Sequence, residues 1–167
     1  MEQLNIAVCE DDRADLQHLC RLITANGASA NVSAFETGED FLAACQPDRF
    51  DLIFMDIYLD GLNGVETVRR VRSMGITAPV AFITISEDFA MDSYRLDVEK
   101  YIEKPARQEK VDESIALALR KKEERRIDMI VWGRREPVEF SAAQLRYVEQ
   151  REHFLTFYLT GGRVWRR

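Results

Sequence analysis

Residues 51–57, Asp51-Leu52-Ile53-Phe54-Met55-Asp56-Ile57, decide the fold class. The apolar run Leu52–Met55 leaves no polar face. It reads as a strand covered on both sides, which is the pattern of a parallel sheet between helical layers. The run ends on a carboxylate, Asp56, and the same design recurs to either side of it. Ile6-Ala7-Val8-Cys9 leads into Glu10-Asp11-Asp12, Val80-Ala81-Phe82-Ile83 into Thr84, and Lys100-Tyr101-Ile102-Glu103 into Lys104-Pro105. Each functional group therefore stands at the C-terminal end of a short apolar segment. That edge is where open parallel sheets bind ligands.

Helical spacing fills the intervals. Arg13–Ala25 carries Leu16, Leu19, Cys20 and Ile23 on one face and is stopped by Asn26-Gly27. Further helices are predicted from Thr37 or Gly38 through Gln46, over Gly64–Ser73, over Phe89–Leu96 and over Gln108–Arg126. Asn31–Phe35 is a weaker strand, and Ala78–Thr84 a fully apolar one. Five βα units with short connections predict an α/β fold: a doubly wound, five-stranded parallel sheet in the order 2-1-3-4-5. After Arg126 the pattern changes. Ile127–Trp132, Leu145–Glu149 and Phe154–Thr160 are strand-like, Gly161-Gly162 is a hairpin signal, and Arg163–Arg167 begins a return strand. The expected organisation is one domain over 1–125 and a partial β-rich segment over 126–167, with the boundary in the charged stretch Lys121–Arg126.

The chain has 167 residues, 46% of them apolar, enough for a real core. Residues 1–120 carry a charge of −10 and residues 121–167 one of +4. The acidic part suits a cation and argues against nucleic acid; the basic part permits a polyanion. Cys9, Cys20 and Cys45 lack metal-site spacing and read as reduced, mostly buried thiols of a cytoplasmic protein. Acidic residues appear by position 10, so no signal peptide is expected. No apolar run approaches the roughly 20 residues of a membrane span.

The chemistry follows from the four strand ends. A carboxylate such as Asp56 can attack a phosphoryl group and form an acyl phosphate. Such a transfer depends mainly on charge neutralisation. Glu10, Asp11 and Asp56 offer hard oxygen ligands suited to Mg²⁺, with the backbone carbonyl of Tyr58 as a further ligand. Lys104 supplies a fixed positive charge for phosphoryl oxygens and Thr84 a hydroxyl donor. Singly, these residues would be ordinary: an acidic triplet is usually a helix cap, and Lys-Pro a turn. Their order along one sheet edge is what points to function.

Those residues carry a resemblance. Val8-Cys9-Glu10-Asp11-Asp12, Met55-Asp56-Ile57 with Gly64, Phe82-Ile83-Thr84 and Tyr101-Ile102-Glu103-Lys104-Pro105 are similar to the signatures of the receiver domain of two-component response regulators. The resemblance implies that Asp56 accepts phosphate from a sensor histidine kinase, that Glu10 and Asp11 hold Mg²⁺, and that Thr84 and Lys104 contact the phosphoryl group. It also implies that Tyr101 is an aromatic switch and that phosphorylation drives homodimerisation. Three departures stand out. Glu10 replaces the usual Asp. Asp60 stands where Pro is common, implying a looser, more acidic loop. Ile85 follows Thr84 where a small residue is usual, implying narrowed access and altered phosphorylation and hydrolysis rates.

Residues 126–167 resemble the start of a LytTR-type DNA-binding domain, which would place Arg151 and His153 near bases. Less than half of such a domain is present, so DNA binding is expected of a complete output domain, not of these residues alone. The reading is a phosphorylation-controlled transcriptional regulator, not an enzyme. Two alternatives remain. One is a Mg²⁺-dependent phosphohydrolase of the haloacid dehalogenase type, although Asp56-Ile57-Tyr58 lacks the second acid expected two residues on. The other is a receiver acting only through protein–protein contacts.

Overall fold

The computed structural model describes residues 3–85, 96–124, 128–132, 137–141, 144–152, 154–160 and 164–166. The chain divides into two compact units, Met1–Leu119 and Arg120–Arg167. The first unit alternates strand and helix: β1 (Leu4–Cys9), α1 (Arg13–Ala25), β2 (Ala30–Phe35), α2 (Gly38–Ala44), β3 (Leu52–Asp56), α3 (Gly64–Ser73), β4 (Val80–Thr84) and β5 (Lys100–Glu103). Helix α4 (Gln108–Glu124) follows. The strands form one parallel sheet in the order β2-β1-β3-β4-β5, as the apolar runs predict.

The missing polar face of β3 has a direct cause. Ile53 and Met55 pack with Phe41 of α2 and with Val65, Val68 and Val71 of α3. Leu52 and Phe54 pack on the opposite side with Leu19 and Ile23 of α1 and with Val111, Ile115 and Ala118 of α4. Alternate residues thus feed two separate cores. Fully burying each such side chain contributes about 1.5–3 kcal/mol.

Local chemistry sets the helix starts. Asp12 caps α1, its carboxylate accepting from the amides of Ala14 and Asp15. Thr37 caps α2 and Asn63 caps α3 in the same way. Two expected boundaries are shorter in the structure. Helix α2 ends at Ala44, not Gln46, because Cys45 is already extended and Pro47 biases Gln46 away from helix. Strand β4 begins at Val80, not Ala78, just after Pro79. Apart from Leu96, the expected helix over Phe89–Leu96 lies outside the described residues.

Arg72, near the end of α3, donates to the backbone carbonyls of Ile76, Ala78, Leu96 and Asp97. It ties the loop before β4 to the approach to β5. The three cysteines are free thiols, Cys9 and Cys45 buried. Burial pushes the Cys9 thiol up to about 12, with the Glu10 carboxylate adding to it. It pushes Cys45 up to about 11 against the opposing pull of Arg49. Both are held as unreactive thiols. No helix among the described residues is long and apolar enough to cross a membrane.

The second unit holds two small antiparallel sheets. Strands β6 (Asp128–Trp132) and β7 (Pro137–Ser141) pair with each other. Strands β8 (Leu145–Arg151), β9 (Phe154–Leu159) and β10 (Val164–Arg166) form the other sheet. Sequence reading does not find β7, because a proline heads it and Glu139 interrupts its apolar residues. The return strand is present as β10, while the Gly161-Gly162 turn lies outside the described residues.

Candidate functional site

Period-two alternation assembles the site. Phe54 of β3 and Ile102 of β5 face the α1/α4 core, as does Val8 of β1. Two residues on from each come Asp56, Lys104 and Glu10, on that same side of the sheet at its C-terminal edge. Lys104 is the hub. Its Nζ donates to Asp56 Oδ2 at 2.7 Å and lies 2.8 Å from Glu10 Oε2 and 3.0 Å from Asp15 Oδ2. Glu10 and Asp56 are buried, at 2% and 4% exposure.

Carboxylate oxygens of Glu10, Asp11 and Asp56 lie within 4.8 Å of one another. Three hard oxygen donors that close fit a small divalent cation such as Mg²⁺. Asp12, the last of the acidic triplet, is committed to capping α1. Its amide donates to Glu10 Oε1 at 3.2 Å, which helps orient that carboxylate. The triplet is therefore cap and site at once.

The loop after Asp56 is anchored at several points. The Tyr58 amide donates to Asp56 Oδ1 at 3.1 Å. The Asp60 amide donates to Asp11 Oδ2 at 3.0 Å. This corrects the expectation of a looser loop: proline has no N–H, so the residue at 60 adds a tether that proline would remove. Gly64 opens α3 directly against the reactive strand end. A Cβ there would fall 2.0 Å from the Asp56 carbonyl oxygen, so only glycine fits.

Thr84 ends β4, 1% exposed, and its carbonyl accepts from the Lys104 amide at 2.8 Å. Ile85 is 70% exposed. Tyr101 is paired in register with Phe82, and their rings are 5.6 Å apart. It packs against the α2/α3 core, on the opposite side from Lys104. Its hydroxyl is buried without a hydrogen-bond partner among the described residues, and burial raises its pKa. In the second unit, Arg151 is exposed and pairs with Glu149 at 2.9 Å. His153 lies outside the described residues.

Sequence reading misses Asp15. Lying on the first turn of α1, it looks like an ordinary helix-terminus carboxylate. The available signal is its place one turn after Asp11, on the helix that covers this face.

Charge explains how the cluster behaves without a cation. Burial pushes Glu10 up to about 7, the Lys104 hydrogen bond opposes the shift, and the Asp56 charge adds to it. Burial alone would pull Lys104 down, but its bonds to Asp56, Glu10 and Asp15 outweigh that and hold it above its ordinary value. A carboxylate raised in the folded state stabilises fully below its unfolded pKa. That contribution is lost as pH rises through the folded value, here about 7. In chelator, the melting temperature of wild type should therefore fall relative to Glu10→Gln between about pH 5 and pH 8, by on the order of 2 kcal/mol in stability. A difference that stays constant across that range would show that Glu10 is not strained by burial.

Comparison with known proteins agrees with this geometry. Residues 6–116 match the family described as response regulator receiver domain. The sequence is 27% identical to protein MrkE of Klebsiella pneumoniae over 110 residues, covering 66% of this chain and 41% of that protein. It is 30% identical to the sensory transduction protein LytR of Staphylococcus epidermidis over 103 residues, covering 62% of this chain and 40% of that one. The chain thus matches less than half the length of either relative. Among solved structures, the response regulatory domain of Klebsiella pneumoniae mrkE superposes with a TM-score of 0.66 at 24% identity, covering 72% of this chain and 99% of that domain.

Proposed function

The chain belongs to the response regulator receiver domain family, and from that membership we propose that it accepts a phosphoryl group on Asp56, with Mg²⁺, from a sensor histidine kinase. One observation carries the reading: an ammonium, Lys104, held 2.7 Å from the carboxylate that ends β3, beside a three-carboxylate cluster. In the step, a carboxylate oxygen of Asp56 bonds to phosphorus. The donor's bond to phosphorus breaks, and the leaving group departs with that electron pair. Glu10, Asp11, Asp56 and the Tyr58 carbonyl would hold the cation. When bound, Mg²⁺ supplies positive charge shared between these carboxylates and the phosphoryl oxygens. Lys104 neutralises the oxygens from the other side, and Thr84 donates its hydroxyl to them. Such a site is a signalling element more than an enzyme: its product is a modified side chain of its own.

The test is intact-mass measurement after incubation with acetyl phosphate and Mg²⁺. A phosphate adduct is the expected result, and its absence would overturn the reading. Multiple turnover of phosphomonoesters would favour a phosphohydrolase instead.

Output follows from the same reading. The name of the Staphylococcus epidermidis relative points to signal transduction, and the two small sheets would be the beginning of a DNA-binding output domain. Arg151 and His153 are proposed base contacts of that complete domain. Phosphorylation is proposed to pair two receivers through the face around residues 89–126, with Tyr101 as the link. Paired receivers would bring two weak DNA contacts together, which multiplies affinity. Tyr101 supports this role because its buried hydroxyl has no partner among the described residues. An unsatisfied group of that kind costs about 1–3 kcal/mol and favours any state that pairs it. Beryllofluoride with Mg²⁺ should raise the dimer fraction in sedimentation measurements, and Tyr101→Ala should blunt the rise. An unchanged mass distribution with beryllofluoride demonstrably bound would remove pairing from the mechanism.

A further inference from the structure

The Lys104 ammonium has three N–H donors and, in this structure, three carboxylate partners. Asp56 Oδ2 is at 2.7 Å, Glu10 Oε2 at 2.8 Å and Asp15 Oδ2 at 3.0 Å. Its capacity is full. An incoming phosphoryl oxygen can reach Lys104 only by taking the place of one of them.

The three partners are not equivalent. Glu10 and Asp56 belong to the carboxylate cluster that fits a cation, and Asp15 does not. Charge drawn to the cluster loosens the first two from Lys104. It gives Asp15 no alternative partner. Asp15 is also the most exposed of the three, its side chain 42% accessible against 2% and 5%. Its position is set by α1: Asp12 accepts the Asp15 amide at 2.9 Å, fixing the first turn so that the carboxylate hangs over the lysine.

Resting on the phosphoacceptor reading of Asp56, we propose that Asp15 is a built-in competing counterion: it holds Lys104 in the resting state and goes on competing with a phosphoryl group for that ammonium. The residue then sets how tightly the site grips a phosphoryl group. It raises the cost of the phosphorylated state without touching the nucleophile or the cation ligands.

The test is beryllofluoride affinity of the full chain in saturating Mg²⁺, measured by titration for wild type, Asp15→Asn, Asp15→Ser and Asp15→Glu. Removing the charge is expected to tighten binding on the order of fivefold in both neutral variants, the scale of one partly exposed ion pair. Asp15→Glu should stay near wild type. A purely structural role predicts the opposite sign. Neutralising an acid in the first turn of a helix loses a favourable dipole interaction, so both the melting temperature and the binding would weaken. Wild-type binding with equal or weaker binding by both neutral variants would overturn the proposal while leaving the phosphoacceptor reading intact. If wild type itself fails to bind beryllofluoride with Mg²⁺, the phosphoacceptor reading falls and the competing role of Asp15 falls with it.

Discussion

Asp56→Asn is expected to remove the phosphate adduct formed from acetyl phosphate, to below detection in intact-mass measurement. The substitution keeps size and shape. The amide oxygen can still accept from the Tyr58 amide or from Lys104, the two bonds that fix the side chain. What is lost is the anionic oxygen proposed to bond to phosphorus. A variant labelled to the extent of wild type would place the acceptor elsewhere and remove the central assignment.

Lys104→Met is expected to cost about 3–5 kcal/mol in cation-free buffer, the range for removing one partner of a buried charged network. On the transition of the first unit this corresponds to a drop on the order of 10 °C. Methionine nearly preserves the volume, so the loss is electrostatic. Glu10 and Asp56, both almost fully buried, would face each other without a counter-charge. The Glu10 pKa, already raised by burial, must then rise further in the folded state. The lost stability therefore grows as pH rises and shrinks in acid. Millimolar Mg²⁺ should restore more stability to the variant than it adds to wild type, because it returns positive charge to the same cluster. A loss below about 1 kcal/mol, or an equal response to Mg²⁺ in both proteins, would mean that Lys104 is not the charge on which the resting cluster depends.

Much of this site is legible in the sequence because strand alternation is strict. Asp56, Lys104 and Glu10 each lie two residues beyond an apolar residue of the α1/α4 core, so they meet on one side without any knowledge of loops. The sheet order was equally readable, since strand and helix signals alternate and the crossovers are short. What sequence could not supply is geometry that depends on how the layers dock. Asp15 reaches Lys104 only because α1 lies over that face. The Asp60 amide meets Asp11 only because the loop folds back. The family pattern of proline at 60 pointed toward slackness, where the exchanged residue in fact contributes a donor. Strand β7 escaped for a different reason: two apolar residues among Pro137, Glu139 and Ser141 give too weak a period, and only pairing with β6 makes it a strand.

The strict alternation also makes the sheet a partition. Asp56, with Ile83 and Ile102 beside it in register, belongs to one compartment. Phe82 and Tyr101 belong to the other. On the proposed reading, a phosphoryl group on Asp56 therefore lies across the sheet from Tyr101. Strand β4 touches both: Ile83 faces the Asp56 side, and Thr84, next in the chain, follows Phe82 toward the Tyr101 side. A one-residue slip of β4 would exchange these two faces. On the proposed reading, such a slip would uncouple Tyr101 from a phosphoryl group on Asp56.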